Sequence, residues 1–323
     1  MISYFDAHCD TIWRCMTAAQ DVAAEGNAEE RQFFARCQSL RENSGHVDLL
    51  RGRTFDRYAQ FFALYHDAAN APDDGMWAQC RRMHDWFVKA MAQNRDLVCH
   101  CRSGKEVDRA VECGKIAALL SIEGADLIDC DSHKICTVAD WGVRFLNPVW
   151  NRANVLSGTN CDQPERGLSA EGKAFIRALE CQGIYADVSH LSDAGFWDLL
   201  HMAQRPVIAS HSNSRAICPH PRNLTDDQFR AIRDSGGVVG LNFYRDFAGG
   251  AAMDDLLRHV EHFLALNGEK TLCMGGDLDG CEALSGGMQG LEDVPQLYAA
   301  LEKRGYSQEL LEDLFWNNVR RLL

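Results

Sequence analysis

The sequence predicts an α/β protein built on a closed parallel (β/α)8 barrel, of the TIM-barrel class. Three observations carry that expectation. Short apolar runs alternate with longer helical patterns along the 323 residues. Eight such runs are present, the number a closed barrel needs. No glycine-rich phosphate turn follows an early strand, as an open doubly wound sheet would usually show.

In chain order the expected strands are 2–8 (ISYFDAH), 59–65 (AQFFALY), 116–123 (IAALLSIE), 143–150 (VRFLNPVW), 184–190 (IYADVSH), 206–211 (PVIASH), 237–244 (GVVGLNFY) and 272–277 (LCMGGD). Helical patterns fill 76–93, 170–182 and 254–266, and a last helix is expected over 307–323. Residues 14–58, with the acidic patch AEGNAEER, read as a helical insertion after the first strand. No repeat, low-complexity segment or Pro/Gly-rich linker interrupts the chain, so 1–323 is expected to be a single barrel domain.

Composition narrows the function classes. The hydrophobic fraction of 46% with 24% charged residues is ordinary globular composition. A net charge of −13 without a basic run argues against nucleic acid and anionic membrane surfaces as partners. The N-terminal residues include Asp6, His8, Asp10 and Arg14 and show no signal-peptide pattern, and the longest apolar runs fall far short of a ~20-residue span. Fourteen cysteines are scattered without a CxxC pair, which points to reduced thiols and a cytoplasmic location. The Cys99-His100-Cys101 triplet lacks the second pair a zinc finger requires.

Metal-binding residue types fall at the ends of the expected strands. The first strand ends in His8 and Asp10, which share one side of an extended chain while Cys9 faces away. Glu123, His190, His211 and Asp277 end four later strands. In a barrel those ends converge on one face, where catalytic groups collect. Two imidazoles, a His/Asp pair and a Glu between them have the shape of a two-metal site, and nitrogen and oxygen donors without thiolate suit Zn²⁺. Chance alone produces about one His-x-Asp triplet in a chain of this composition, and a second stands at His46-Val47-Asp48. Position separates the two: His46 lies in a charged, glycine-containing segment rather than at a strand end.

The blocks DAHCDTIW, LLSIEGAD, GVRFLNPVWN, GLSAEGKAFIRAL, YADVSHLSD, PVIASHSNSRAICPHPRNLTDD, VVGLNFY and MGGDLDGCEALSGGMQGLEDV resemble, in order, those of the membrane (renal) dipeptidase family of zinc metallopeptidases, in the amidohydrolase superfamily. The resemblance implies a metallo-dependent hydrolase barrel that cleaves dipeptides, L,D as well as L,L. It implies two Zn²⁺ per chain, one held by His8 and Asp10 and one by His190 and His211, bridged by Glu123 and a water or hydroxide. Arg222 would grip the substrate's C-terminal carboxylate, Asp277 would shuttle the proton, and a homodimer would be the assembly. One departure stands out. Trp150 occupies the place of a family histidine that contacts the scissile carbonyl oxygen, so the indole of Trp150 or the amides of Asn147 and Asn151 are the candidate replacements. The neighbouring readings are an amidohydrolase acting on N-acyl amino acids or lactams, and a metal-binding barrel impaired by the change at position 150.

Overall fold

The computed structural model describes residues 1–23 and 38–323. Its centre is a parallel sheet of β1 (Ser3–Cys9), β2 (Arg57–Tyr65), β3 (Val98–His100), β4 (Ile116–Glu123), β5 (Val143–Asn147), β6 (Tyr185–Ala186), β7 (Val239–Leu241) and β8 (Leu272–Met274). The strand order is β6-β5-β4-β2-β1-β8-β7. Residues 206–211 fill the gap between β6 and β7: Ile208 bridges Asp187 on one side and Ala209 bridges Val239 on the other. The α/β barrel expected from the sequence is therefore the architecture, with one addition. The short β3 pairs only with the start of β4, at Ile116–Ala118, while β5 takes up the end of β4 from Leu120.

Every residue of β1 and β4 is buried, because parallel strands are covered on both faces. Alternation sorts their side chains into two sets. Phe5, Ala7, Ala59, Phe61, Ala117, Leu119, Phe145, Tyr185, Ile208 and Cys273 form the inner core. Tyr4, Phe62, Leu64, Leu120, Ile122 and Leu146 pack outward against helices such as Met76–Gln93 and Ala170–Cys181. The inner rings stack in sequence, Phe61 on Phe145 at 4.0 Å and Phe5 against Trp316 at 5.4 Å.

The final helix expected over 307–323 is broken by a wide turn. An α-helix runs over Gln308–Glu312, a π-helical turn over Asp313–Asn317, and α-helix again over Asn318–Arg320. The wide turn buries the neighbours Phe315 and Trp316 together, Phe315 against Tyr298 and Trp316 beneath Phe5 under the Arg57 guanidinium.

The helical insertion expected at 14–58 is helical from Thr11 to Ala23. Residues 24–37 lie outside the described residues. Beyond them the chain turns rather than coils, apart from the short helix Leu49–Gly52, and β2 already begins at Arg57. Side chains satisfy the backbone there: the Asn43 amide donates to the Ser39 and Val47 carbonyls, and Asp48 accepts the Arg51 amide.

Among the described residues no helix is long and apolar enough to cross a membrane, and no disulfide joins their thirteen cysteines.

Candidate active site

An irregularity in β1 presents the first donors. Between Asp6 and Cys9 the pairing slips by one residue, since Asp6 faces Gln60 and Cys9 faces Phe62. An extra residue in one strand reverses the alternation that follows it. Phe5 and Ala7 point into the barrel, yet Cys9 points outward, and His8 approaches Glu123 at the end of β4. Glu123 needs no such device, because it continues the inward parity of Ala117 and Leu119.

The five expected ligands come together, each at most 5% exposed. Glu123 separates them into two sets. Its Oε2 lies 3.5 Å from His8 Nε2, which lies 3.3 Å from Asp10 Oδ2. Its Oε1 lies 2.8 Å from His190 Nε2 and 3.5 Å from His211 Nε2. The two latter nitrogens are 3.0 Å apart. Donor atoms of His8, Glu123 and His211, and again of His8, Asp10 and Asp277, lie within 4.8 Å of one another.

Hydrogen bonds behind these groups set their orientation. Asn151 Oδ1 lies 3.0 Å from His190 Nδ1 and Ser210 Oγ 2.7 Å from His211 Nδ1. If each Nδ1 donates, both Nε2 lone pairs face the same point. The Asp6 carboxylate accepts the amides of His8 and Gly276 and the Tyr4 hydroxyl. The Asp187 carboxylate accepts the amides of Ser189 and Ser210, and the Ser189 hydroxyl in turn accepts the His211 amide.

Electrostatics favour a cation here. Burial, then the Asp10 charge, pushes Glu123 up to about 8. Burial opposes charge on His8, but the Glu123 and Asp10 carboxylates outweigh it and hold this imidazole well above its usual range. Burial, with Arg222 and His8 adding to it, holds His190 and His211 well below theirs, so both are neutral bases. His8 Nε2 and Asp10 Oδ1 are buried without a hydrogen-bond partner. Crowded carboxylates, lone pairs converging on one another and orphaned donor atoms fit metal binding, and an all-nitrogen-and-oxygen set suits zinc.

Above the ligands opens a cavity of about 380 Å³, lined by Asp10, Glu123, His190, Arg222 and Asp277 and walled by aromatic rings. Arg222 is 3% exposed and makes no ion pair with a carboxylate among the described residues. Its guanidinium donates to the Ser189 and His211 carbonyls, lies 3.2 Å from His190 Nε2 and sits over the Phe247 ring. Burial lowers its pKa, with the Asp277 and Glu123 charges opposing. Asp277 sits in a left-handed turn (φ 56°), accepts the Asn242 amide at 2.9 Å, and is raised by burial.

The expected carbonyl-binding residues divide. Trp150 and Asn151 line the cavity, but the Asn151 oxygen is turned to His190. Asn147 is 1% exposed, is not part of the cavity wall, and donates to the Asp187 carbonyl at 3.4 Å; its inward parity places it below the opening, as a tie between strand ends. Asp279 accepts from Thr11 and from the His46 amide, and its own amide donates to His46 Nδ1. The second His-x-Asp thus braces a loop, with Asp48 as a helix cap. Among the site residues that sequence reasoning missed are Tyr65, which ends β2 and lines the cavity, and Asn242, which follows β7 and donates to Asp277. The strand-end rule marks both positions, but neither residue is a usual metal ligand.

A parallel α/β barrel with imidazoles and carboxylates gathered at the carboxyl ends of its strands defines a metal-dependent hydrolase. The chain belongs to the membrane dipeptidase family, peptidase family M19, whose profile it matches over residues 1–323. It is 36% identical over 265 residues to an uncharacterized protein in the pqqA 5′ region of Klebsiella pneumoniae, covering 78% of this chain and 96% of that one. It is 33% identical over 306 residues to an uncharacterized dipeptidase of Schizosaccharomyces pombe, covering 86% and 72%. A solved metallo peptidase from Rhodobacter sphaeroides, liganded with a phosphinate mimic of the dipeptide L-Ala-D-Ala, shares the fold with a TM-score of 0.84 and 27% identity, covering 99% of this chain and 98% of that one. The protein is thus a hydrolase of the metallopeptidase class, in a family of dipeptidases.

Proposed function

We propose that the chain is a binuclear zinc dipeptidase that hydrolyses dipeptides with a free C-terminal carboxylate, L,D as well as L,L. The observation that carries this reading is the placement of Glu123, with Oε2 toward His8 and Oε1 toward His190 and His211. One carboxylate between two donor sets is the arrangement of a bridged two-metal site. His8 and Asp10 would hold one zinc, His190 and His211 the other, and Glu123 both. When bound, the zinc pair supplies Lewis acidity and lowers the pKa of a bridging water toward neutrality.

The remaining work falls to side chains. Asp277, beside His8 and Asp10 and steadied by Asn242, accepts a proton from the attacking water and returns it to the departing amine. Burial, which raises its pKa, suits it to that exchange. Arg222 offers its fork to the substrate carboxylate, which supplies the counter-charge this buried cation lacks. Trp13, Tyr65, Trp150 and Phe247 form the aromatic wall of the cavity.

Metal analysis followed by a dipeptide screen tests the reading. Two zinc ions per chain and metal-dependent release of amino acids are expected, with turnover abolished in His190→Ala and Asp277→Asn. A broad L,L and L,D panel without metal-dependent release would sink it. Preference in kcat/KM for N-acyl amino acids over dipeptides would move the assignment to an amidohydrolase.

A further inference from the structure

Amide hydrolysis places negative charge on the scissile carbonyl oxygen, and a donor aimed at that oxygen is worth ~10²–10³ in rate. Several donor side chains around the cavity are engaged elsewhere. Arg222 donates to the Ser189 and His211 carbonyls. The Tyr244 hydroxyl donates to Asp246 at 3.1 Å, and Cys281 Sγ to the Asp277 carbonyl at 3.4 Å. The Tyr65 hydroxyl makes no hydrogen bond among the described residues and belongs to the cavity wall.

Tyr65 is also well placed. It pairs with Glu123 across the β2–β4 ladder, so the two strand ends stand side by side. Its side chain follows the inward parity of Ala59 and Phe61. Trp13 meets its ring edge-on at 5.9 Å and Trp150 packs on it at 4.9 Å, which leaves the phenol little freedom to turn. The carboxylates whose field reaches it include Glu123, Asp10 and Asp277, the three that surround the reacting bond in the dipeptidase reading.

We infer that Tyr65 is a catalytic residue, its hydroxyl donating the hydrogen bond that stabilises the developing oxyanion of the scissile carbonyl. Trp150 then serves as a packing surface that holds the phenol in place. This rests on the dipeptidase reading above.

The test compares zinc-loaded wild type, Tyr65→Phe and Trp150→Phe on one dipeptide, and measures inhibition by a phosphinate dipeptide mimic, whose tetrahedral centre resembles the transition state. Tyr65→Phe is expected to lower kcat ~10²–10³-fold, with KM within a few-fold. Affinity for the phosphinate should fall in step with kcat/KM, while zinc content and thermal midpoint stay at wild-type values. Trp150→Phe should keep kcat within about tenfold, since it retains a ring against Tyr65. The inference is overturned if Tyr65→Phe keeps kcat within about threefold, if its loss tracks lost zinc or lost fold, or if Trp150→Phe is the more damaged variant. Wild-type protein inactive on every dipeptide would overturn the dipeptidase reading as well, a result distinct from an active wild type with an active Tyr65→Phe.

Discussion

Asp6 and Gly276 are joined across the seam between β1 and β8, the glycine amide donating to the carboxylate at 3.0 Å and 3.2 Å. The same carboxylate accepts the His8 amide at 2.9 Å. One buried acid thus fixes both the backbone of His8 and the turn that carries Asp277. Asp187 does the equivalent for His190 and His211 through Ser189 and Ser210.

Replacing Asp6 with Asn leaves a donor among N–H groups that need an acceptor. Asp6→Asn should weaken zinc binding at the His8 half ~10–100-fold, the usual cost of losing a group that supports a ligand. Asp187→Asn should do so at the other half. Zinc titration with competing chelators reads each effect, and unchanged affinity in both variants would show that the clamps are dispensable.

Arg222→Met removes the cation while keeping an apolar chain over Phe247. Loss of a buried charge-assisted pair costs about 3–4 kcal/mol, so kcat/KM on free-acid dipeptides should fall ~10²–10³-fold. Wild type should discriminate strongly against dipeptide amides, and the variant should not. Steady-state kinetics on matched acid and amide substrates decides this, and equal discrimination in both proteins would place the carboxylate elsewhere.

His259 gives a pH dependence away from the cavity. It is fully buried; Nδ1 accepts the Ser214 amide and Nε2 donates to the Ala248 carbonyl, each at 3.1 Å. Burial lowers its pKa to about 4 from the ordinary 6.5, favouring the neutral ring. The unfolded chain binds the proton first as pH falls. Stability from this group is therefore intact above pH 6.5 and declines from there toward pH 4, by about 2 kcal/mol between pH 7 and 5. Urea unfolding of wild type and His259→Gln at both pH values should show the smaller pH loss in the variant. Parallel losses would remove His259 as the cause.

Much of this was legible because the signals are local. Apolar runs located the barrel strands, and donor types at their ends located the five expected ligands and, beside them, Asp277. What escaped depends on contacts distant in sequence. Residues 206–211 read as a full strand but make only single bridges, since Asp187 and Ser210 divert the backbone to side-chain bonds. Asn147 and Asn151 share one residue type, yet only the fold shows that the first ties strands and the second orients His190. Tyr65 has no metal-ligand chemistry to advertise it, and becomes visible only beside Glu123 and between two tryptophans.

The slipped pairing in β1 has a further consequence for which ions the protein accepts. Regular alternation after Phe5 and Ala7 would turn Cys9 inward and replace the His8 imidazole and Asp10 carboxylate with a single thiolate. A sulfur donor beside two imidazoles recruits soft ions such as Cu(I), whereas the nitrogen and oxygen pair favours borderline and harder ones. A single extra residue in the first strand would thus act as a filter on metal identity in a site built on these ligands, and a deletion between Asp6 and Cys9 would convert the site's chemistry rather than merely loosen it.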